Sequence, residues 1–321
     1  MSPITFVGSA PFKRRAQPAK PAPVWPFSLL GLHDPGGEHL LAGASRPGPT
    51  LFTHELGHDP HSEHGFDYSP WSGRCLIARL NNGYNPNGTI PLPLHYADFA
   101  RRVGHHVRLS TGGCHVWIIG NETNHMIEFP FGYPISPDQY SVCFALCRHE
   151  IKRVPGHADD WVIAAPVAPY YPPGAWGGYL DYFRQIVTLC DTDAICLHAY
   201  GRSAHPSSVN QDHILTGGTY KGLQWEFRTY RDFLNAVPQS KRHLPALITE
   251  TNQEGAWTNA NTGWVQAAVR EIQEWNAAPH AQQTQQIRAL VLYRWPAGLD
   301  RWGIEKSHEL HEDIRAAASL C

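Results

Sequence analysis

Charge is what this 321-residue sequence has least of: Lys, Arg, Asp and Glu make up 17% of it and the formal net charge is −2. No run of like charges is long enough to form the cationic stripe that neutralises nucleic-acid phosphates or an anionic membrane surface, so neither partner is expected. Apolar runs are short as well; none approaches the ~18 residues of a membrane span. No glycine-rich G-x-G-x-x-G or G-x-x-x-x-G-K-[ST] loop follows an apolar run, which removes the usual support for a nucleotide-binding sheet. There is no C-x-x-C pair, and the seven cysteines are odd in number and lie mostly within apolar runs such as SVCFALC and DAICLHAY. They read as buried thiols of a reduced protein, with room for at most an isolated bridge, rather than as a disulfide frame. The opening MSPITFVGSAPFKRRAQPAKPAPVWP puts its basic residues after a short apolar piece and has no apolar core before a cleavage site, so no signal peptide is recognisable. Cysteine usage leans toward the cytoplasm, and secretion stays open if a signal has been removed. Residues 1–26, rich in Pro, Ala and basic side chains from position 9 onward, read as an arm or linker.

Aromatic residues are plentiful, with 11 Trp and 13 Tyr. Most aromatics pack cores, yet a nearly neutral Trp-rich chain also suits flat uncharged ligands such as sugar rings. From residue 27 onward, short apolar runs alternate with stretches of helical period. The strand-like runs are 27–33, 50–55, 75–80, 115–121, 161–168, 194–200, 246–251 and 289–295, which makes eight. Leu180, Phe183 and Val187 share one helical face; so do Leu223, Phe227, Tyr230 and Leu234 in LQWEFRTYRDFL, and Val265, Ala268, Val269, Ile272 and Trp275. Connections after the first two runs are weaker and richer in Gly and Pro. Continuous apolar strands each followed by an amphipathic helix indicate a parallel sheet covered by helices. Eight such units over about 300 residues fit a single (β/α)8 TIM barrel, 27–321, better than an open sheet.

Reactive groups of such a barrel sit at the carboxyl ends of its strands. There WIIGNETN places Asn121 and Glu122 after the fourth strand, and LITETNQ places Glu250 at the end of the seventh. These strands face each other across the mouth, so their carboxylates converge. Two carboxyl groups about 5–5.5 Å apart are the requirement of a retaining glycosidase, one as nucleophile and the other as acid and then base. The acid needs a raised pKa, which an apolar wall provides; Trp257 and Trp295 can supply it. Arg79 and Asn81 end the third strand, and Glu55 ends the second, where it can line the sugar site. His198 shares a strand face with Tyr200, reaching the site or making a structural hydrogen bond.

An Asn-Glu pair ending strand four, a Glu ending strand seven, an aromatic after strand six and a Trp ending strand eight resemble the clan A retaining glycoside hydrolases, over nearly the whole chain from residue 27. The resemblance implies Glu122 as acid/base, Glu250 as nucleophile, Asn121 on the sugar 2-hydroxyl, Tyr200 orienting the nucleophile, Arg79 supporting it and Trp295 as floor of the reacting sugar's subsite. It implies an oligo- or polysaccharide partner, no cofactor and no metal. A monomer or small homo-oligomer is expected. Glu128 and Glu254 lie several residues past their strands and read as loop carboxylates.

One string competes. LFTHELGHDPHSEHG contains H-E-x-x-H at His54–His58, with His64 where a third zinc ligand would fall. A zinc peptidase needs that motif on a helix, which puts both histidines on one face. Pro47, Pro49 and Pro60 leave too little room for such a helix, and the glycine of the long form is replaced by His61. A zinc-dependent peptidase using His54, His58 and His64 therefore stands as the alternative enzyme, a loop-built metal cluster as a weaker form of it, and a non-catalytic glycan-binding barrel as the alternative outside enzymes.

Overall fold

The computed structural model describes residues 25–253, 255–279, 285–298 and 301–321. Most of the expected arm, and Glu254, therefore lie outside the described residues. Eight parallel strands lie within the eight expected runs or overlap them: β1 (Leu30–His33), β2 (Pro49–Glu55), β3 (Cys75–Asn81), β4 (Val116–Ile119), β5 (Trp161–Ala164), β6 (Ile195–His198), β7 (Ala246–Thr251) and β8 (Ile287–Leu292). They form one sheet in the order β5-β4-β3-β2-β1-β8-β7-β6. The sheet curls into a (β/α)8 barrel whose seam lies between β5 and β6. No ladder spans that seam. Instead Asp193 N–H donates to the Val162 carbonyl (3.1 Å), Val162 N–H to the Asp193 carboxylate (2.9 Å) and Ala164 N–H to the Thr192 hydroxyl (3.1 Å).

Alternation along each strand divides the apolar residues in two. Leu51, Cys75, Ile77, Val116, Ile118, Ile163, Cys196, Leu247 and Val291 fill the barrel. Leu32, Phe52, Leu76, Trp117, Val162, Leu197 and Ile248 face the helices. At the amino-terminal end of the strands, Trp25 stacks on Trp161 with centroids 5.2 Å apart and meets Phe27 edge-on, closing the bottom of the barrel.

The outer layer is α1 (Tyr96–Leu109), α2 (Pro137–Lys152), α3 (Tyr179–Leu189), the short α4 (Ser207–Asn210), α5 (Thr229–Ala236), α6 (Trp264–Ala277) and α7 (His308–Ala318). After β1 and β2 stand only the 3-10 turns Glu38–Leu41 and Ser69–Trp71, as the Gly- and Pro-rich connections predict. Ser136 starts α2 with a capping box, its hydroxyl accepting from Gln139 N–H while the Gln139 side chain accepts from Ser136 N–H, and Pro137 occupies the first turn. Asp313 of α7 accepts from the backbone N–H of Val265 and Gln266, capping α6 from a neighbouring helix. One helix differs from expectation. The stripe beginning at Leu223 predicts helix over 223–234, but Glu226 is left-handed at φ 74° and α5 starts only at Thr229. Asp232 accepts from Gln224 N–H (2.7 Å) and holds the preceding segment in a turn. All seven cysteines are free thiols.

Candidate active site

Strand geometry brings Arg79, Asn121, Glu122, His198, Tyr200 and Glu250 together at the carboxyl end of the barrel. On β3 the inward series Cys75, Ile77 continues to Arg79 and Asn81; on β6, Cys196 leads to His198. Glu250 does not follow this rule. Leu247 faces in and Ile248 faces out, so strict alternation would send residue 250 outward to the helices. A register shift between Ile248 and Thr251, opposite the irregularity at Leu197/His198, turns Glu250 inward beside His198. Such a bulge is a common means of re-aiming a side chain.

Buried Glu250 receives a hydrogen bond from Arg79 Nη1 on Oε1 (2.5 Å) and from the Tyr200 hydroxyl on Oε2 (2.9 Å). Burial disfavours its charge, but His198 first and Arg79 second outweigh that and hold its pKa down at about 2. The same arrangement pushes the Tyr200 phenol well up, through burial first and the two carboxylates second, so Tyr200 stays a donor. Arg79 is a hub: it also donates to Asn121 Oδ1 (2.7 Å), His33 Nε2 (2.8 Å) and the Thr53 hydroxyl (3.1 Å). A guanidinium only donates, so His33 accepts at Nε2 and carries its proton on Nδ1, facing Asp34 at 3.2 Å. Burial lowers the His33 pKa, consistent with that neutral form.

Glu122 enters from the opposite side. Left-handed backbone at Gly120 (φ 82°) and Glu122 (φ 32°) ends β4 abruptly and lifts the side chain into the mouth. Its Oε1 lies 2.8 Å from His198 Nδ1, while Nε2 of the same ring lies 3.8 Å from Glu250 Oε1. One imidazole thus stands between the two carboxylates. Thr89 fixes the approach by accepting from Asn121 N–H (2.6 Å).

Glu128 lies in the loop after β4, as its sequence position suggests, yet it turns into the site. It closes the short 3-10 turn Met126–Glu128, is buried, and accepts from Asn121 Nδ2 at 2.9 Å, while its Oε2 is buried without a hydrogen-bond partner. Burial raises its pKa to about 7, against the pull of the Asn121 hydrogen bond. Sequence reasoning missed Thr89 and this role of Glu128, for neither has a spacing signal; His33 was legible only as a polar strand end.

The remaining expected residues divide. Glu55 ends β2 in register with Asn81, whose Oδ1 is buried and unpartnered, so both belong to the mouth. Trp257 is buried with its indole N–H on the Tyr293 carbonyl, and Trp295 is enclosed by Gly36, Gly37 and His311. Neither ring presents an open face. The exposed aromatics of the mouth are instead Tyr84, Phe131 and Tyr133, on the loops after β3 and β4. Beside them, a cavity of about 310 Å³ opens between the loops after β4 and β5, lined by Asn124, Phe129, Tyr171, Trp176 and Tyr182. Asn124, two residues past Glu122, clamps these loops by bonding both N–H and carbonyl of Ala168.

The H-E-x-x-H string begins on the last two residues of strand β2 and runs into the loop that follows, so it is not the helix a zinc peptidase would need. His54 and Glu55 therefore point to opposite faces. His54 lies among Phe52, Phe66, Tyr68 and His106, bonded to the Tyr68 hydroxyl at 2.7 Å, and burial lowers its pKa to about 4. His58 pairs with Asn82 and stacks on His95, and His64 is exposed in the following loop. The three do not form a ligand set. Among the described residues, the one group of potential ligands that converges is His115, His157 and Asp160.

No family model and no curated protein matches the sequence. Comparison of folds is more informative. A family 39 glycoside hydrolase from Bacteroides cellulosilyticus aligns over 91% of this chain at TM-score 0.58 and 16% identity. The barrel resembles those of clan A glycoside hydrolases. This chain spans 63% of that enzyme's length. A family 128 endo-β-1,3-glucanase from Sorangium cellulosum aligns over 90% of this chain and 98% of its own at TM-score 0.55 and 13% identity. Its counterpart from Amycolatopsis mediterranei, solved with laminaripentaose, covers 90% and 99% at TM-score 0.52 and 13% identity. At such identities the likeness is one of fold.

Proposed function

We propose that this barrel is a retaining glycoside hydrolase acting on a β-linked glycan, with Glu250 as nucleophile and Glu122 as acid/base. The observation that carries the reading is the pair of unlike carboxyl groups reaching one imidazole from opposite sides. Glu250 is buried yet kept ionised by His198 and Arg79, with the Tyr200 hydroxyl on its other oxygen, and Glu122 is lifted in from the far side of the mouth. A carboxylate held so far below its usual pKa is of no use as an acid at neutral pH, but it is the right species to attack an anomeric carbon. Attack forms the glycosyl ester on Glu250 as Glu122 delivers its proton to the departing oxygen; water, deprotonated by Glu122, then releases the sugar. Asn121, held by Arg79 and Glu128, presents its amide beside the nucleophile, where the sugar 2-hydroxyl would lie. Tyr84, Phe131 and Tyr133 give the mouth apolar faces suited to sugar rings. Given the endo-β-1,3-glucanases of like fold, laminarin-type glucan belongs in the first substrate screen beside other β-glycans.

The leaving group separates the two roles. Glu122→Gln should lose about 10²–10⁴-fold in turnover of a glycan, and far less with an aryl glycoside whose phenol departs without a proton. Glu250→Gln should abolish both. Steady-state rates of the two variants on the two substrate types decide the assignment; equal losses on both substrates for Glu122→Gln would remove it as the acid.

A further inference from the structure

We infer that the barrel carries a divalent transition-metal site at the pole opposite the glycan site, made by His115, His157 and Asp160. The three residues come together by backbone geometry. Val116 of β4 pairs with Trp161 of β5, and Trp161 N–H donates to the His115 carbonyl, so residues 115 and 160 are neighbours just ahead of their strands. Asp160 N–H bonds the His157 carbonyl (3.2 Å), and left-handed Gly156 (φ 88°) tightens the turn that brings His157 over the same carboxylate. Each imidazole aims Nδ1 at a different oxygen: His115 at Oδ1 (2.7 Å), His157 at Oδ2 (2.6 Å). All three ligating atoms lie within 4.8 Å of one another.

Two imidazoles and one carboxylate suit zinc and its neighbours in the transition series. Calcium and magnesium, which take shells of oxygen, are poorly served. Other requirements of a metal site are also met. The Asp160 side chain is 3% exposed and its Oδ2 accepts from the indole N–H of Trp117 (2.6 Å), which orients the carboxylate from behind. Lys152 Nζ bonds the Asp160 carbonyl and lies 3.2 Å from Asp193, which draws that cation away from the ligand atoms. The His115 side chain is 57% exposed and gives an entry path. Without metal, each Nδ1 donates a proton to Asp160. On metal binding each imidazole carries its one proton on Nε2 instead, so both ligate as neutral rings through Nδ1, which moves outward to admit the ion and leaves a fourth position for water. A tie between β4 and β5 at the base of the barrel is a stabilising role, remote from the chemistry at the mouth.

The test uses the full chain without an affinity tag, stripped by chelator and titrated calorimetrically with zinc chloride. One equivalent should bind, the melting temperature should rise with zinc, and cobalt substitution should give the visible absorption of a tetrahedral ion. His115→Ala, at an exposed position, and His157→Ala should each weaken binding about 100-fold or more without changing the circular dichroism spectrum. Absence of saturable binding would overturn the proposal and leave the cluster as a hydrogen-bonded staple. So would stoichiometric binding that both variants retain, which places the ion elsewhere among the 20 histidines. Neither result bears on the glycosidase reading, whose residues lie at the other end of the strands.

Discussion

Glu250 is a buried carboxylate whose neighbours are drawn from three other strands. Arg79 comes from β3, His33 from β1, and His198 with Tyr200 from the end of β6. Tyr200→Phe tests that support with the smallest change. A hydrogen bond to a charged group contributes about 1.5–3 kcal/mol, so the variant should lose roughly 10–100-fold in kcat. It should also move the acid limb of the kcat/KM profile to higher pH, since Glu250 would then protonate more easily. A limb that stays in place would show that Tyr200 does not support the charge on Glu250. Glu128 makes a second prediction at this scale, with opposite sign. Its folded pKa lies above the ordinary carboxyl value because burial favours the neutral form. Its contribution to stability is therefore full below about pH 4.5 and is lost as pH rises through about 7. Relative to Glu128→Gln, the wild-type protein should lose stability from pH 5 to 8, on the order of 3 kcal/mol. Urea unfolding of both proteins across that range measures it, and parallel curves would show that Glu128 is not protonated in the native state.

At the scale of elements, the strands were legible and the loops were not. A strand buried on both faces reads as a continuous apolar run, and each of the eight runs contains or overlaps a strand. The bulge that points Glu250 inward left no mark in LITETNQ, because side-chain alternation predicts the wrong face for it. Loops after strands carry no periodicity, so the buried position of Glu128, six residues past Glu122, could not be foreseen; nor could the exposed aromatics at Phe131 and Tyr133. The stripe Leu223, Phe227, Tyr230, Leu234 shows the reverse failure. Phe227, Tyr230 and Leu234 are buried as predicted, yet the first turn of the expected helix is broken at Glu226. The seam is the element most open to test. Arg148 of α2 forms a two-pronged contact with Asp193 (2.6 and 3.1 Å), and Asp193 also accepts from Val162 N–H across the gap between β5 and β6. Asp193→Ala should cost about 1–3 kcal/mol in denaturant unfolding. A change within experimental error would show that the Asp193 carboxylate does not hold the seam, leaving it to the backbone bond, Thr192 and apolar contacts.

For the whole molecule, the proposed readings put stability at one pole of the barrel and chemistry at the other. One pole holds Trp25, Phe27, Trp161 and the His115–His157–Asp160 group; the other holds both carboxylates and the aromatic rim. HELGH, the most motif-like string in the sequence, was assigned correctly as strand followed by loop because prolines left no space for a helix. Its geometry shows why the motif is empty: on a strand, neighbouring His54 and Glu55 cannot share a face. Chelation should accordingly leave glycan hydrolysis unchanged at temperatures well below unfolding, while a zinc peptidase would be silenced. The most direct test of the central claim is mapping the covalent intermediate. Incubation with an activated 2-deoxy-2-fluoro-β-glycoside, matched to the best substrate of the screen, should add one sugar to the intact protein. Peptide mass spectrometry should then place it on Glu250. Labelling at Glu122 or any other residue, or no labelling with a substrate analogue that the enzyme binds, would contradict the mechanism.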